Sequence, residues 1–449
     1  MSKYKKYPQY KDSGVEWLGN VPSNWNTKRL KNIIRAGITD GPHETPVFLD
    51  DGIPFLSVDG IQNGELTFIK SRYISYIAHK QYSQKANIEK DDILLGKAAS
   101  IGKVARVKVD FEFSIWSPLA LIKPKLSVVT PSYLEYLLKS SLTQYQIQQL
   151  STSNTQQNIS MADIPKFIFS MPDIEEQQTI ANYLDKATAK IDTLIEKQTK
   201  LIELLKEKRQ AVISTAVTRG LDSSVLMKDS GVAWLGKIPE HWTRTPLRYI
   251  GRLQNGISKG GDYFGSGFPF VNYGDIYKNG TLPLHVKGLA KSNKEDQHIY
   301  SVRIGDVFFT RTSETIDDIG MASTCVETID NATFSGFTIR FRQLKRVLNE
   351  HFSKYYFRTG HSQSFFEKQL NLVTRASLGQ DILKQLPVLL LPMEEQETIA
   401  NYLDDKTSKI DILISKSTKA INLLREKRTA LISAVVTGKI DVREVSLYA

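Results

Sequence analysis

The sequence predicts an α+β chain in which two similar mixed α/β domains are separated by two long helices that pair with each other. Three observations predict it: an internal repeat, two matching apolar seams of helical period, and a positive charge excess almost wholly in the globular segment that precedes each seam.

The repeat comes first because it fixes the frame for everything else. Lys11-Asp12-Ser13-Gly14-Val15-Glu16-Trp17-Leu18-Gly19 returns as Lys228-Asp229-Ser230-Gly231-Val232-Ala233-Trp234-Leu235-Gly236. Each copy runs on to a proline and a tryptophan, Pro22 and Trp25 in one, Pro239 and Trp242 in the other. Farther on, Glu176-Gln177-Gln178-Thr179-Ile180-Ala181-Asn182-Tyr183-Leu184-Asp185 returns as Glu395-Gln396-Glu397-Thr398-Ile399-Ala400-Asn401-Tyr402-Leu403-Asp404. The near-constant offset marks two copies of one unit, each a globular part followed by a helical part. The expected segments are residues 1–171, a helix over 172–220, a second globular part over 221–391, a helix over 392–443 and a tail over 444–449.

The helices are the clearest local signal. After Ile180, steps of four and three place Leu184, Ala187, Ile191, Leu194, Gln198, Leu201, Leu205, Lys208 and Val212 on one seam. The second seam is Ile399, Leu403, Lys406, Ile410, Leu413, Ser417, Ala420, Leu424, Lys427 and Leu431. Pro172 and Pro392 precede the helices, Asp173 with Glu176 has the spacing of a capping box, and Gly220 and Gly438 stand where each should stop. Without internal glycine or proline, a helix over 174–218 would reach roughly 66 Å at about 1.5 Å per residue. Matching seams pack most simply on each other; the alternative is that each packs on its own globular part.

The globular parts hold short apolar runs bounded by turn residues. Ile53-Pro54-Phe55-Leu56 corresponds to Phe268-Pro269-Phe270-Val271, and Asp92-Ile93-Leu94-Leu95 to Asp306-Val307-Phe308-Phe309. Of the formal charge of +11, the first globular part carries a net +6 and the second +5, while the helices are close to neutral. Basic domains suit a polyanion and neutral rods suit a scaffold; ordinary solvated surface is the plainer reading of the charge alone. One cysteine, Cys325, allows no internal disulfide, no apolar stretch approaches a membrane span, and the opening residues lack the apolar core of a signal peptide. These features describe a soluble chain of the cytoplasm.

Catalytic motifs are missing. The segment from Gly96 to Gly102-Lys103-Val104 lacks P-loop spacing, and Gly260-Gly261-Asp262-Tyr263-Phe264-Gly265 reads as a loop, not a dinucleotide fingerprint. There is no Asp/Asn-Pro-Pro-Tyr/Phe motif and no nuclease pairing of acids with lysine. The seven histidines show no His-x-x-x-His pair, and one cysteine builds no zinc knuckle. The expectation is a chain with no catalytic residue, no metal ligand and no cofactor of its own.

The doubled Asp-Ser-Gly-Val-x-Trp-Leu-Gly opening, the doubled Glu-Gln-x-Thr-Ile-Ala-x-Tyr-Leu-Asp helix start, and the Leu-Leu-x-Glu-Lys-Arg-x-Ala-x-Ile-Ser helix end resemble the specificity subunit of type I restriction–modification enzymes. The resemblance covers nearly the whole chain. It implies two target-recognition domains, each reading half of a bipartite double-stranded DNA target, and two repeat helices paired as an antiparallel coiled coil that sets the gap. It also implies two methyltransferase subunits using S-adenosylmethionine, and two motor–nuclease subunits using ATP and magnesium, as partners.

Candidate DNA-contacting residues fall in two loops per globular part. One follows a strand-like run: Lys97, Ser100 and Lys103 in the first part, and Arg311, Thr312 and Ser313 in the second. The other is Ser151-Thr152-Ser153-Asn154-Thr155-Gln156-Gln157-Asn158, with the less similar Val373-Thr374-Arg375-Ala376-Ser377-Leu378-Gly379-Gln380 as counterpart. From these the expected contacts are Thr155, Gln156, Gln157, Thr374 and Arg375. Arg and Lys suit guanine, Gln and Asn suit adenine, and hydroxyls reach phosphates. Unlike loops predict unlike half-sites and an asymmetric target. The competing readings are a fused nuclease or methyltransferase with unseen motifs, and a coiled-coil adaptor joining two protein-binding domains.

Overall fold

The computed structural model describes residues 5–151, 158–313, 318–369 and 376–444. The chain forms two compact units, residues 1–199 with 418–449, and residues 200–417.

In the first unit the central sheet has four antiparallel strands in the order Val104–Arg106, Ile93–Gly96, Leu119–Ile122 and Thr39–Asp40. Alternate side chains of a strand point to opposite faces, so a strand that is apolar throughout must be covered on both. Ile93, Leu95, Ala120 and Ile122 join one core with Trp25, Tyr133 and Leu134, while Leu94, Leu119 and Leu121 join another with Leu56, Phe113 and Ile115. The second core lies under a three-stranded sheet in which Ile53–Leu56 pairs in parallel with Ser114–Ile115 and antiparallel with Arg72–Ile74.

The second unit repeats this plan. Its central sheet runs Ala322–Thr324, Val307–Thr310, Thr338–Gln343 and Gly251–Asn255, again antiparallel. Its small sheet pairs Phe264–Val271 in parallel with Thr333–Phe334 and antiparallel with Leu289–Ala290. The pairing of Asp92-Ile93 with Asp306-Val307 read from the sequence is therefore a structural equivalence: each aspartate is buried at the foot of the same strand. Lys123 reaches Asp92 at 2.7 Å and Arg342 reaches Asp306 at 2.6 Å from the neighbouring strand.

The long helices span Ile174–Arg219 and Met393–Val436. Each is entered from a strand that pairs with the start of its own globular part: Ile168–Met171 with Asn26–Arg29, and Pro387–Leu390 with Thr243–Pro246. Gly220 and Gly438 follow the helix ends at φ +75° and +72°, the left-handed conformation that lets a helix terminate without a Cβ clash. In the first unit Ile180, Leu184 and Ile191 share a core with Leu431, Ile432, Val435 and Val436, and Asp192 pairs with Arg428 at 3.0 Å. In the second, Ile213, Ala216 and Val217 share a core with Ile399, Ala400 and Leu403, and Arg209 pairs with Asp411 at 2.9 Å. Early residues of one helix thus meet late residues of the other, as in an antiparallel coiled coil.

Two details differ from expectation. Leu194, Leu201 and Leu413 are exposed and Ala187 and Ala420 only partly covered, whereas Thr188, Ile191, Leu205, Thr407, Ile410, Ser417 and Ile421 are buried. Ile191, Leu205, Ile410 and Ser417 thus hold their predicted places, while the alternate seam positions lie one residue later than predicted, at Thr188, Ile195, Ile202, Thr407, Ile414 and Ile421. Asp173 accepts the Glu176 N–H at 2.9 Å as an N-cap, but the Glu176 carboxylate turns away from the helix start and takes hydrogen bonds from Tyr7, Asn24 and Trp25.

Candidate nucleic-acid interface

Both globular parts end a buried central strand in a polar loop, and both hold that loop by the same backbone bonds. The Lys97 N–H donates to Pro118 O at 2.8 Å, and Lys97 O accepts from Ile159 N–H at 3.0 Å. The Arg311 N–H donates to Phe337 O at 3.1 Å, and Arg311 O accepts from Leu378 N–H at 2.7 Å. Ile159, directly after the first of the two polar segments singled out in the sequence, and Leu378, within the second, are buried anchors. The fold therefore returns the chain, in or directly after each of these segments, to the strand end that carries the first loop. In the second unit the contact extends to a two-residue ladder, Thr312–Ser313 against Ala376–Ser377.

The side chains at these edges are differently engaged. The Lys97 ammonium is buried and lies 3.2 Å from Asp40, which also pairs with Lys85 and with His43 at 3.2 Å. Burial alone would raise the Asp40 pKa, but the ammonium groups of Lys85 and Lys97 outweigh it and hold the carboxyl below its ordinary value. Ser100 and Lys103 are partly covered, and Lys103 Nζ lies 3.5 Å from Val58 O. The turn between them has Ala99 at φ +62° and Gly102 at φ +80°, with Gln144 Nε2 donating to Gly102 O at 2.9 Å. In the second unit Arg311 Nη1 donates to Gly336 O at 2.9 Å, and Tyr273 Oη donates to Thr312 O at 3.0 Å. Thr312 and Ser313 are partly exposed. Thr155, Gln156, Gln157, Thr374 and Arg375 lie outside the described residues.

One feature of the edge escaped the sequence reading. Strand register makes Asp40 equivalent to Asn255, since each sits opposite a residue of the third central strand, Ala120 or Ile339. Each is followed by a glycine, Gly41 or Gly256, whose Cβ position is filled by the backbone of Ile115 or of Phe334 and Ser335. Asp40 holds Lys97 from the first loop, while Asn255 Oδ1 accepts from Gln380 Nε2 at 2.9 Å beyond the second. The shared acid-or-amide followed by glycine is the signal that would have exposed this position, once the two copies are aligned strand by strand.

The domain family described as type I restriction modification DNA specificity domain matches residues 22–204 and 251–423, most of the chain. The chain belongs to that family. It is similar to the type I restriction enzyme StySPI specificity subunit of Salmonella potsdam, at 22% identity over 95% of this chain and 91% of that one. It is also similar to the putative MjaX specificity subunit of Methanocaldococcus jannaschii, at 25% identity over 95% of this chain and 96% of that one. Among solved structures, a chain from work on complex assembly and conformational transition of the type I R-M system matches at 15% identity with a TM-score of 0.64, covering 93% of this chain and 98% of that chain. The HsdS subunit from Thermoanaerobacter tengcongensis matches at 14% identity with a TM-score of 0.51, covering 94% and 98%. These structures share the fold of tandem mixed α/β domains with long helices.

Among the described residues no cluster of three or more His, Cys, Asp or Glu could hold a metal ion, and no helix is long and apolar enough to cross a membrane. Cys325 is buried and its thiol is pushed up to about 12, mainly by burial, so it is no nucleophile at neutral pH.

Proposed function

We propose that this chain is the DNA-specificity subunit of a type I restriction–modification complex, each globular part reading one half of an asymmetric bipartite target. The observation that carries the reading is the doubled edge: in both units a polar loop leaves a rigid buried strand beside the anchor of a second polar segment. A rigid strand end is a good mount for base-reading groups, because little is lost to ordering when DNA binds. The candidate contacts are Lys103, Ser100, Thr312, Ser313 and Arg311, together with Thr155, Gln156, Gln157, Thr374 and Arg375. Lys97 is a different case: with its ammonium held by Asp40, its part is to fix the loop unless DNA displaces the pair.

The paired helices set the gap between half-sites and dock two methyltransferase and two motor–nuclease subunits. Those partners supply the S-adenosylmethionine, ATP and magnesium chemistry in the cytoplasm, and this chain supplies recognition. The test is genome-wide mapping of N6-methyladenine in host cells carrying the intact gene or one with residues 221–391 exchanged for another recognition domain. A bipartite motif that keeps its first half and changes its second supports the reading. An unmoved pattern, with the exchanged chain expressed and the methyltransferase active, overturns it in favour of an adaptor.

A further inference from the structure

The first unit carries a charged groove that the second has replaced. Arg72 stands on the strand Arg72–Ile74, directly opposite Phe55. Its guanidinium lies 4.7 Å from the Phe48 ring centroid and 6.0 Å from that of Trp116. A guanidinium held between aromatic rings loses little rotamer freedom on binding and keeps its N–H edge free for an acceptor. Among the described residues Arg72 has no carboxylate partner. It opens on a groove of about 410 Å³ lined also by Lys70, Ser71, Ser57, Thr67, Trp116 and one carboxylate, Asp59. The Ser71 hydroxyl there is buried without a hydrogen-bond partner, a costly state that a χ1 rotation toward a bound oxygen would relieve.

The strand register shows what the second unit has in the same places. Leu289 opposes Pro269 as Tyr73 opposes Pro54, so the next position, Gly288, answers to Arg72. The Trp116 N–H donates to Leu56 O and the Ser335 N–H to Val271 O, so Ser335 answers to Trp116. At Gly288 a Cβ would collide with Asn272 and Phe270 O, so that site has no room for an arginine.

We propose that Lys70, Ser71 and Arg72 form a phosphate clamp that grips the DNA backbone beside the half-site read by the first globular part. Among the described residues, the second part has a glycine, Gly288, where the first has Arg72. Two cations flanking a hydroxyl on consecutive residues suit a phosphodiester better than a base edge, and the aromatic faces are already occupied by the guanidinium. Trp116 also ties the groove to the reading edge, since Ser117 N–H donates to Pro42 O at 3.2 Å and Pro118 O accepts the Lys97 N–H. The proposal rests on the DNA-reading function.

The test uses the full chain assembled with its methyltransferase partners and a duplex bearing the mapped target, with affinity measured against salt concentration. Arg72→Ala should weaken binding by roughly 5–20-fold, lower the log–log salt slope by about one, and leave the methylated motif unchanged. Arg72→Lys should keep most of the slope. Replacing single phosphates by neutral methylphosphonates should reveal one position near the first half-site that matters to the wild type and not to Arg72→Ala, and the wild-type scan alone does not depend on how a variant folds. If the wild type binds with steep salt dependence and Arg72→Ala matches it in affinity and slope, the clamp is wrong. A changed motif would make Arg72 a base reader instead and would equally overturn it. If the wild-type complex shows no salt-dependent duplex binding, the underlying DNA reading fails, and the clamp fails with it.

Discussion

The two globular parts are alike where they meet their helices and unlike where their polar loops leave the sheet. At the junctions, Trp25 and Trp242 are fully buried and donate to Glu176 and Glu395. Gln177 and Gln396 each bond the N–H of the N-cap of an earlier helix, Thr130 before Pro131–Lys139 or Asn349 before Glu350–Tyr356, and the carbonyl two residues before it. Tyr136 and Tyr355 each donate to an aspartate at 2.6 Å and meet a threonine, Thr188 or Thr407. At the edges, Asn255 stands in the place of Asp40, Gly288 in that of Arg72, and Ser335 in that of Trp116. A duplicated scaffold that keeps buried hydrogen-bonded junctions and varies its edges is one in which recognition changes without refolding. Breaking a lost partner at a junction leaves a buried polar group unpaired, whereas an edge position is constrained only by its loop.

The largest expected effect is therefore at the junction tryptophans. Trp25→Ala and Trp242→Ala should each destabilise their own unit by about 3–5 kcal/mol, the range for emptying a large aromatic site. Trp→Phe should cost only about 1 kcal/mol at either. Glu176 keeps Tyr7 and Asn24 as donors, and Glu395 keeps His241 and is partly open to water. Urea unfolding with hydrogen exchange resolved by unit measures both. A cost confined to one copy would break the claim that the junctions are equivalent.

A second effect separates the copies by pH. His361 is fully buried against Tyr356 and Thr359, and burial pushes its pKa down to about 4. Its folded pKa is thus below the unfolded value near 6.5, so the unfolded chain takes up the proton first. The second unit should be at full strength above pH 6.5 and lose roughly 2–3 kcal/mol as pH falls to about 4. Leu142 stands at the corresponding place in the first unit, whose own buried histidine, His79, is also pushed down by burial but has Glu112 at 3.6 Å to receive its charge. His361→Leu should flatten the acid limb of the second unit's stability profile, and an unchanged limb would show that another group is responsible.

The repeat, the two helices and the strand equivalences were legible because they depend on periodicity, which survives in a single sequence. Every second position of the seam was not. Leu194 and Ile195 are both apolar, as are Leu201 and Ile202, so a four–three spacing fits through either member of each pair. The deciding residues looked like poor core: Thr188 and Thr407 are buried because their hydroxyls bond Leu184 O and Leu403 O and meet the tyrosines. Polar side chains satisfied within the helix are invisible to a hydropathy pattern. At the candidate site, the basic loop was visible as composition, but the engagement of Lys97 by Asp40 joins distant strands and follows only from the register.

The tyrosine–aspartate bonds offer a finer comparison. Tyr136→Phe and Tyr355→Phe each remove one charge-assisted hydrogen bond and should cost about 1–2 kcal/mol. The two should differ, because Asp404 keeps Lys354 at 2.7 Å, while the residue in the place of Lys354 is Glu135, which is committed to Lys139 and Arg106. Tyr355→Phe should therefore be the milder change, and equal costs would mean that the lysine adds nothing.

The smallest expected effect lies between the helices. Arg209–Asp411 and Arg428–Asp192 occupy matching places in the two units, and Arg209 and Arg428 stand at seam positions next to the predicted Lys208 and Lys427. Both aspartates are more than half exposed, at 52% and 51%, so solvent screening limits each pair to about 0.5 kcal/mol. Arg209→Ala and Arg428→Ala should barely move the unfolding midpoint at physiological salt. What the pairs can do at that energy is discriminate register, since a slip along the seam places each arginine away from its aspartate. Charge reversal shows this best: Arg209→Asp should destabilise more than Arg209→Ala, and adding Asp411→Arg should restore the loss. Failure of the second change to rescue the first would mean that apolar packing alone holds the helices in step.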